Sequence, residues 1–166
     1  MIHNFNDFLF NVFKNNYEKA YKQRHKLIYK YAENINIEYL EYLCNNPINE
    51  IYIYTMNTFI GENYKDEIIG FIIVRELPFT INKCKIYIPL IAIHSNLRNN
   101  GYANILLDFI IKKYNKIKTL EIVLLSLQSS SNFYLKNGFF ISHDPYIEQT
   151  EIIEESILMK KIIKNK

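Results

Sequence analysis

The sequence predicts an α/β (α+β) fold, and three observations predict it. The hydrophobic period changes from helical before Pro47 to strand-like from Ile48. The apolar, β-branched run Ile86 to Ile93 breaks into a short polar turn, and a helical pattern follows at Tyr102, Ile105, Leu106, Phe109, Ile110 and Tyr114. The next apolar run, Thr119 to Leu127, comes directly after that helix and is expected to pair parallel with the strand before it. No repeat or linker divides the chain. The expectation is one domain over 1–166, with a helical part over 1–47 and a mixed core over 48–163.

Taken in order, residues 4–45 read as helical. Phe5, Phe8, Leu9, Val12, Phe13 and Tyr17 make one apolar stripe. Ala20, Tyr21, Leu27, Ile28, Tyr31 and Ile35 make a second, and Ile37, Leu40, Leu43 and Cys44 a third that stops before Asn45-Asn46-Pro47. Ile51 to Ile60 reads as a strand, Gly61 to Asp66 as a hairpin loop and Glu67 to Glu76 as the return strand. Leu77 to Lys83 connects to a strand over Cys84 to Ile93, in which Pro89 has no N–H to give a ladder and calls for a bulge or a local splay. The long helix runs from about Gly101 to Tyr114, and the strand Thr119 to Leu127 follows it. Gln128 to Ser131 reads as a polar break and Asn132 to Asn137 as a short helix, with Gly138 at its left-handed C-terminal position. Gly138 to Ile141 starts a strand, and Glu155 to Ile163 reads as the last one.

Composition narrows the function classes. With 166 residues, 49% hydrophobic and 22% charged, the chain is long and apolar enough for a real core. Its 14 Tyr and 11 Phe accompany an abundance of Ile, Asn and Lys, so aromatic content alone is no functional signal. A net charge of +3 favours an anionic ligand mildly and does not require nucleic acid. Cys44 and Cys84 stand apart, with no spacing for zinc or a disulfide framework, which fits a reducing intracellular compartment, cytoplasmic or else nuclear, and no metal. No apolar run reaches the length of a membrane span, and Met1 to Asp7 lacks the marks of a signal peptide. The basic residues Lys19, Lys22, Arg24, His25, Lys26 and Lys30 read as a solvated helix face, and nucleic acid is the disfavoured partner.

The chemistry concentrates in two short stretches. Arg98-Asn99-Asn100-Gly101-Tyr102-Ala103 joins a strand to a helix N-terminus, where backbone N–H groups lack internal partners and the dipole is positive. Such a loop suits a phosphate or pyrophosphate. Gly101 lets the backbone approach a ligand, Ala103 keeps the first turn small and Arg98 supplies a fixed cationic fork. The segment fits Arg/Gln-x-x-Gly-x-Gly/Ala and resembles the acetyl-coenzyme A loop of the GNAT acetyltransferase superfamily. Phe133-Tyr134-Leu135-Lys136-Asn137-Gly138-Phe139, in the expected order and separation, resembles a second segment of that family. Glu67-Ile68-Ile69-Gly70-Phe71 and Leu158-Met159-Lys160-Lys161 look like two of its strands. The resemblance covers about residues 48–163, and three of the four glycines (Gly70, Gly101 and Gly138) fall on family positions.

The resemblance implies a mixed, twisted, mostly antiparallel sheet with a splayed parallel strand pair and helices on both faces. It implies acetyl-coenzyme A as cosubstrate, with no metal. The pantetheine arm would pair with backbone near Ile91 and Ile93, and the pyrophosphate would meet the N–H groups of Asn99, Asn100, Gly101, Tyr102 and Ala103, with Arg98 and Lys136 adding charge. Tyr134 would be the general acid near the sulfur, and a backbone N–H around Ile93 the oxyanion donor. His94 reads as a turn residue. Glu121 lies where some relatives carry a basic carboxylate, although an exposed strand-end charge is the preferred reading, and Tyr87 and Glu76 are weaker candidates. The family usually opens on a strand, and Met1 to Asn6 shows none that convinces. The expected activity is N-acetyl transfer to a primary amine, either a protein amine (N-terminal or lysine) or a small amine, by a monomer or homodimer. The alternative is a non-catalytic acyl-coenzyme A-binding or protein-interaction module on the same fold.

Overall fold

The computed structural model describes residues 1–5, 29, 35–60, 63–116, 118–143 and 156–165. Among them, seven strands form one sheet in the order β1-β2-β3-β4-β5-β7-β6. These are β1 (Ile2–Asn4), β2 (Asn49–Ile60), β3 (Asn63–Thr80), β4 (Lys83–Ile93), β5 (Thr119–Leu127), β6 (Phe140–Ile141) and β7 (Ser156–Lys164). Helices whose bounds lie within the described residues are α1 (Ile37–Asn45), α2 (Tyr102–Tyr114) and α3 (Gln128–Lys136). β1 on β2, β5 on β7 and β6 on β7 are antiparallel, and β4 on β5 is parallel. The fold is therefore the expected mixed, mostly antiparallel sheet with one parallel pair and helices. The backbone divides into two compact units, Met1–Val74 with Leu90–Phe109, and Arg75–Pro89 with Ile110–Lys166.

In the first unit, α1 starts where Asn36 caps it, its side-chain oxygen accepting from the N–H of Glu38 at 2.7 Å and of Tyr39 at 3.2 Å. Leu40, Leu43 and Cys44 bury one face of the helix with Phe5, Ile51, Ile53, Ile68, Phe71 and Ile73. The period-two set on β3 (Phe71, Ile73) and on β2 (Ile51, Ile53) is what turns that face of the sheet to α1. On α2, Tyr102 lies 5.6 Å from Tyr54 and Phe109 lies edge-on 5.2 Å from Tyr52, ring centre to ring centre. Contrary to the sequence reading, Ile2–Asn4 is a strand, in register with Tyr54, Ile53 and Tyr52. Three residues are too few to show a period of two, and the pairing with β2 supplies what local pattern does not.

In the second unit, β5 is buried over Leu120 to Leu124, as a strand with neighbours on both edges must be. Its parallel ladder runs from Lys83↔Thr119 to Ile88↔Leu124 and ends at the residue before Pro89. α3 begins at Gln128, not Asn132. The polar residues Gln128 to Ser131 form its first turn, without a side-chain cap, because β5 delivers the chain at Leu127 in extended conformation. Its C-terminus is the expected left-handed one. Gly138 sits at φ 77°, its N–H bonds Leu135 O at 3.0 Å and that of Phe139 bonds Tyr134 O at 3.1 Å.

Other boundaries also move. β3 starts at Asn63, so the expected loop over 61–66 keeps only 61–62, which lie outside the described residues. The expected connection over 77–83 is strand on both sides of a turn at Ile81 and Asn82. The strand expected from Gly138 is confined to Phe140–Ile141. The helical reading before Ile37 falls on residues that, save for Phe5, Tyr29, Ile35 and Asn36, lie outside the described ones or, at Asn4, in β1.

Candidate active site

After β4 the chain makes one 3-10 turn, Ser95–Leu97, capped by His94, whose Nδ1 accepts from the N–H of Asn96 at 3.3 Å. His94 is thus the turn residue its position suggests. Asn99 then takes φ 64° and Gly101 φ 80°. Both are left-handed, a region that Gly enters freely and Asn more readily than other residues. The Asn100 side chain ties the bend by donating to Leu97 O at 3.2 Å and to Arg98 O at 3.1 Å. Gly101 O accepts from Ile105 N at 3.2 Å and opens α2.

Among the described residues, the N–H groups of Asn99 to Ala103 donate to no backbone carbonyl. Asn99, Asn100 and Gly101 are exposed, and a Cβ at Gly101 would meet nothing within 4 Å. Consecutive N–H groups without a backbone partner at the positive end of a helix, with open space at the glycine, are chemistry that suits an anion. The residues present fit a diphosphate.

The strand that feeds this loop is fixed from one side. The His94 N–H bonds Ile69 O at 2.9 Å, and Ala92 O lies so near Gly70 that a Cβ there would sit 2.5 Å from it. Ala92 in β4 and His94 just past its end therefore face β3. By the two-residue alternation of a strand, the N–H groups of Ile91 and Ile93 point to the other edge. Arg98, otherwise exposed, donates from Nε to Ile93 O at 3.2 Å. Ile91, Ile93 and the whole Arg98 to Ala103 segment lie in the first unit.

Tyr134, Lys136 and Glu121 lie in the second unit. Tyr134 is buried on α3, edge-on to Phe133 at 5.0 Å and to Phe139 at 5.5 Å. Burial pushes its phenol above the ordinary tyrosine range. Lys136 is exposed in the last turn of α3. Tyr87 is buried beneath the Arg75 guanidinium, which stands 5.9 Å from its ring centre, and Glu76 is exposed.

Glu121 is not the exposed charge that its strand-end position suggests. It is 4% exposed and ion-paired to Lys83 at 2.5 Å, Lys85 at 3.2 Å and Lys160 at 3.4 Å. Burial alone raises its pKa. The hydrogen bonds from Lys83 and Lys85 and the charges of Lys85 and Lys160 outweigh it and hold the carboxyl at about 2. Sequence alone does not bring the three lysines to Glu121, yet it carries one signal of them. Lys83 and Lys85 are two apart and so share a face of β4, and the parallel register puts Lys85 beside Glu121.

The family model for the acetyltransferase (GNAT) domain matches residues 49–140. No curated protein matches the chain in sequence. Among solved structures, the NatC complex bound to Gag peptide and CoA is 20% identical, with a TM-score of 0.59 over 100% of this chain and 98% of that one. The ribosomal-protein-S18-alanine N-acetyltransferase from Escherichia coli is 14% identical, with a TM-score of 0.58 over 100% and 95%. Tetrahymena GCN5 is 16% identical, with a TM-score of 0.56 over 88% of each chain. At these identities the structures speak for the fold alone. The domain match spans more than half of the sequence and includes both the β4–α2 loop and the Tyr134 segment: the chain belongs to the GNAT acetyltransferase family.

Proposed function

We propose that this chain is an acetyl-coenzyme A-dependent N-acetyltransferase that moves acetyl from the thioester to a primary amine by direct attack. The observation that carries the reading is the loop from Arg98 to Ala103, whose exposed N–H groups, left-handed Asn99 and Gly101 and open space above Gly101 suit a diphosphate. Acetyl-coenzyme A supplies an activated acyl group and a good leaving thiolate. Asn99 to Ala103 bind its diphosphate, with charge from Arg98 and Lys136. Ile91 and Ile93 offer edge N–H groups to the pantetheine and to the oxygen on which charge develops. Tyr134 donates to the leaving sulfur. Its buried phenol stays protonated, and a thiol near pKa 8.5 is a stronger acid than a phenol near 10, so complete transfer from Tyr134 runs uphill. Tyr134 therefore lends a hydrogen bond, and the proton the thiolate keeps comes from the attacking amine.

The acceptor we favour is a protein or peptide α-amine. Glu121, held ionised by three lysines, is unsuited to be a base. It also lies near the start of β5, about 20 Å along that strand from the end that leads into α3. An α-amine near pKa 8 costs only about 1 kcal/mol to deprotonate at pH 7, whereas a lysine costs about 4 to 5 kcal/mol. Among the structures that share the fold, one is bound to a peptide and one is a ribosomal-protein-alanine N-acetyltransferase. The test is thiol release from acetyl-coenzyme A against peptides with free N-termini, N-blocked lysine peptides and small amines. Release that is fastest with free N-termini is the expected result. Release with small amines alone would refute the acceptor class. Binding without release to any amine would instead make the chain a non-catalytic acyl-coenzyme A-binding module.

A further inference from the structure

The contact between Arg98 Nε and Ile93 O ties two parts of the proposed site that need not have touched. An unpaired strand edge shows N–H and C=O groups side by side, because both groups of one residue point the same way. On β4, Ile93 shows both to the edge away from β3. An N–H there is useful to an oxyanion, but the neighbouring carbonyl oxygen carries negative partial charge and repels it. In this chain Arg98 covers that carbonyl at 3.2 Å. The next N–H along, that of His94, is held by Ile69 O at 2.9 Å, so the peptide between Ile93 and His94 is gripped at both ends. On the peptide before it, Ala92 O lies against Gly70, too near for a Cβ on that residue. The plane after Ile93 is therefore held by hydrogen bonds at both ends, and the plane before it is packed close on β3.

We infer that Arg98 is a positioning residue for the acyl-transfer step as well as a charge for the diphosphate: through Nε it caps Ile93 O and turns the strand end into a donor-only site. The inference rests on the acetyltransferase reading. It separates two functions within one side chain, since Nε holds the strand while the cationic fork serves the ligand.

Two substitutions divide these functions. Arg98→Lys keeps the charge but places a methylene where Nε was. Arg98→Gln keeps an N–H donor at the Nε position but loses the charge. Arg98 is exposed, so both variants keep the fold, which circular dichroism checks. Affinity is read by calorimetry with acetyl-coenzyme A. Polarisation of the thioester is read from the infrared carbonyl stretch of bound acetyl-coenzyme A carrying ¹³C at the acetyl carbonyl, a measurement that needs no acceptor. The lysine variant is expected to bind within about threefold of wild type but to lose most of the lowering of the carbonyl stretch. The glutamine variant is expected to bind about tenfold more weakly and to keep that lowering once saturated. If the lysine variant keeps the lowered stretch, or the glutamine variant loses it, Arg98 does not position the strand and only the inference falls. If the wild type does not bind acetyl-coenzyme A, the functional reading falls and takes the inference with it.

Discussion

Single side chains carry the most direct tests. Tyr134→Phe removes one hydroxyl and keeps the ring between Phe133 and Phe139. Turnover should fall about 10- to 100-fold while the dissociation constant for acetyl-coenzyme A stays within about threefold. Parallel losses in calorimetry and steady-state rate would mark Tyr134 as a packing residue instead. Because burial raises the phenol's pKa, its ionisation cannot produce a high-pH loss of rate below about 10, its ordinary value. Any earlier loss belongs to another group. Gly101→Val tests the loop. Among the described residues, a Cβ there meets nothing within 4 Å. The φ of 80° strains a β-branched residue by about 1 to 3 kcal/mol. Crowding of the diphosphate and the strained loop together are expected to lower affinity tenfold or more by calorimetry. Unchanged affinity would take the loop out of the ligand site.

At the scale of elements, the close approach of β3 and β4 depends on one residue. A Cβ at Gly70 would stand 2.5 Å from Ala92 O and 2.5 Å from Ile93 Cδ1, so Gly70→Ala must push the end of β4 away or turn Ile93. Overpacking of this kind costs about 1 to 3 kcal/mol, which a urea titration of purified variant and wild type measures. If the displaced end is also the oxyanion strand, activity should fall further than stability alone accounts for. Equal stability would show that the strands have slack the geometry does not suggest. Elements with a strong period or a capping signal were legible in the sequence. Thr119–Leu127 came out to the residue because both faces are buried, and Gly138 because only a glycine-like φ ends α3 that way. Elements that depend on partners were not. Ile2–Asn4 is strand only because β2 lies beside it, and Gln128 to Ser131 are helical because of where β5 leaves the chain, against their own preference for turns. The site divides the same way. The loop could be read because backbone constraints leave glycine in the sequence, whereas the lysines around Glu121 are a matter of register between strands.

For the whole molecule, that lysine cluster makes a prediction about acid stability. Glu121 is buried on β5 and receives charges from β4 (Lys83, Lys85) and β7 (Lys160), so one carboxylate joins three strands. Its pKa is lowered from 4.5 to about 2. A depressed carboxylate binds its proton less readily in the folded chain than in the unfolded one. Its contribution is therefore complete above the unfolded pKa and disappears as pH falls through the folded one. The window is pH 4.5 down to about 2. The full shift corresponds to about 3 kcal/mol, and because Lys83 is 46% exposed, solvent screening brings the expectation nearer about 2 kcal/mol. Glu121→Gln keeps the shape and removes the charge, leaving the ammonium groups to repel one another. Its urea midpoint should lie well below that of wild type at pH 7. The gap should hold down to about pH 5 and then narrow, as the unfolded wild-type chain takes up the proton that folded Glu121 does not bind until about pH 2. A gap that stays constant from pH 7 to pH 3 would show that the amide costs stability for a reason other than charge. A negligible gap at pH 7 would mean the three ion pairs only offset the burial of the carboxylate, the outcome expected where desolvation consumes the whole Coulombic gain.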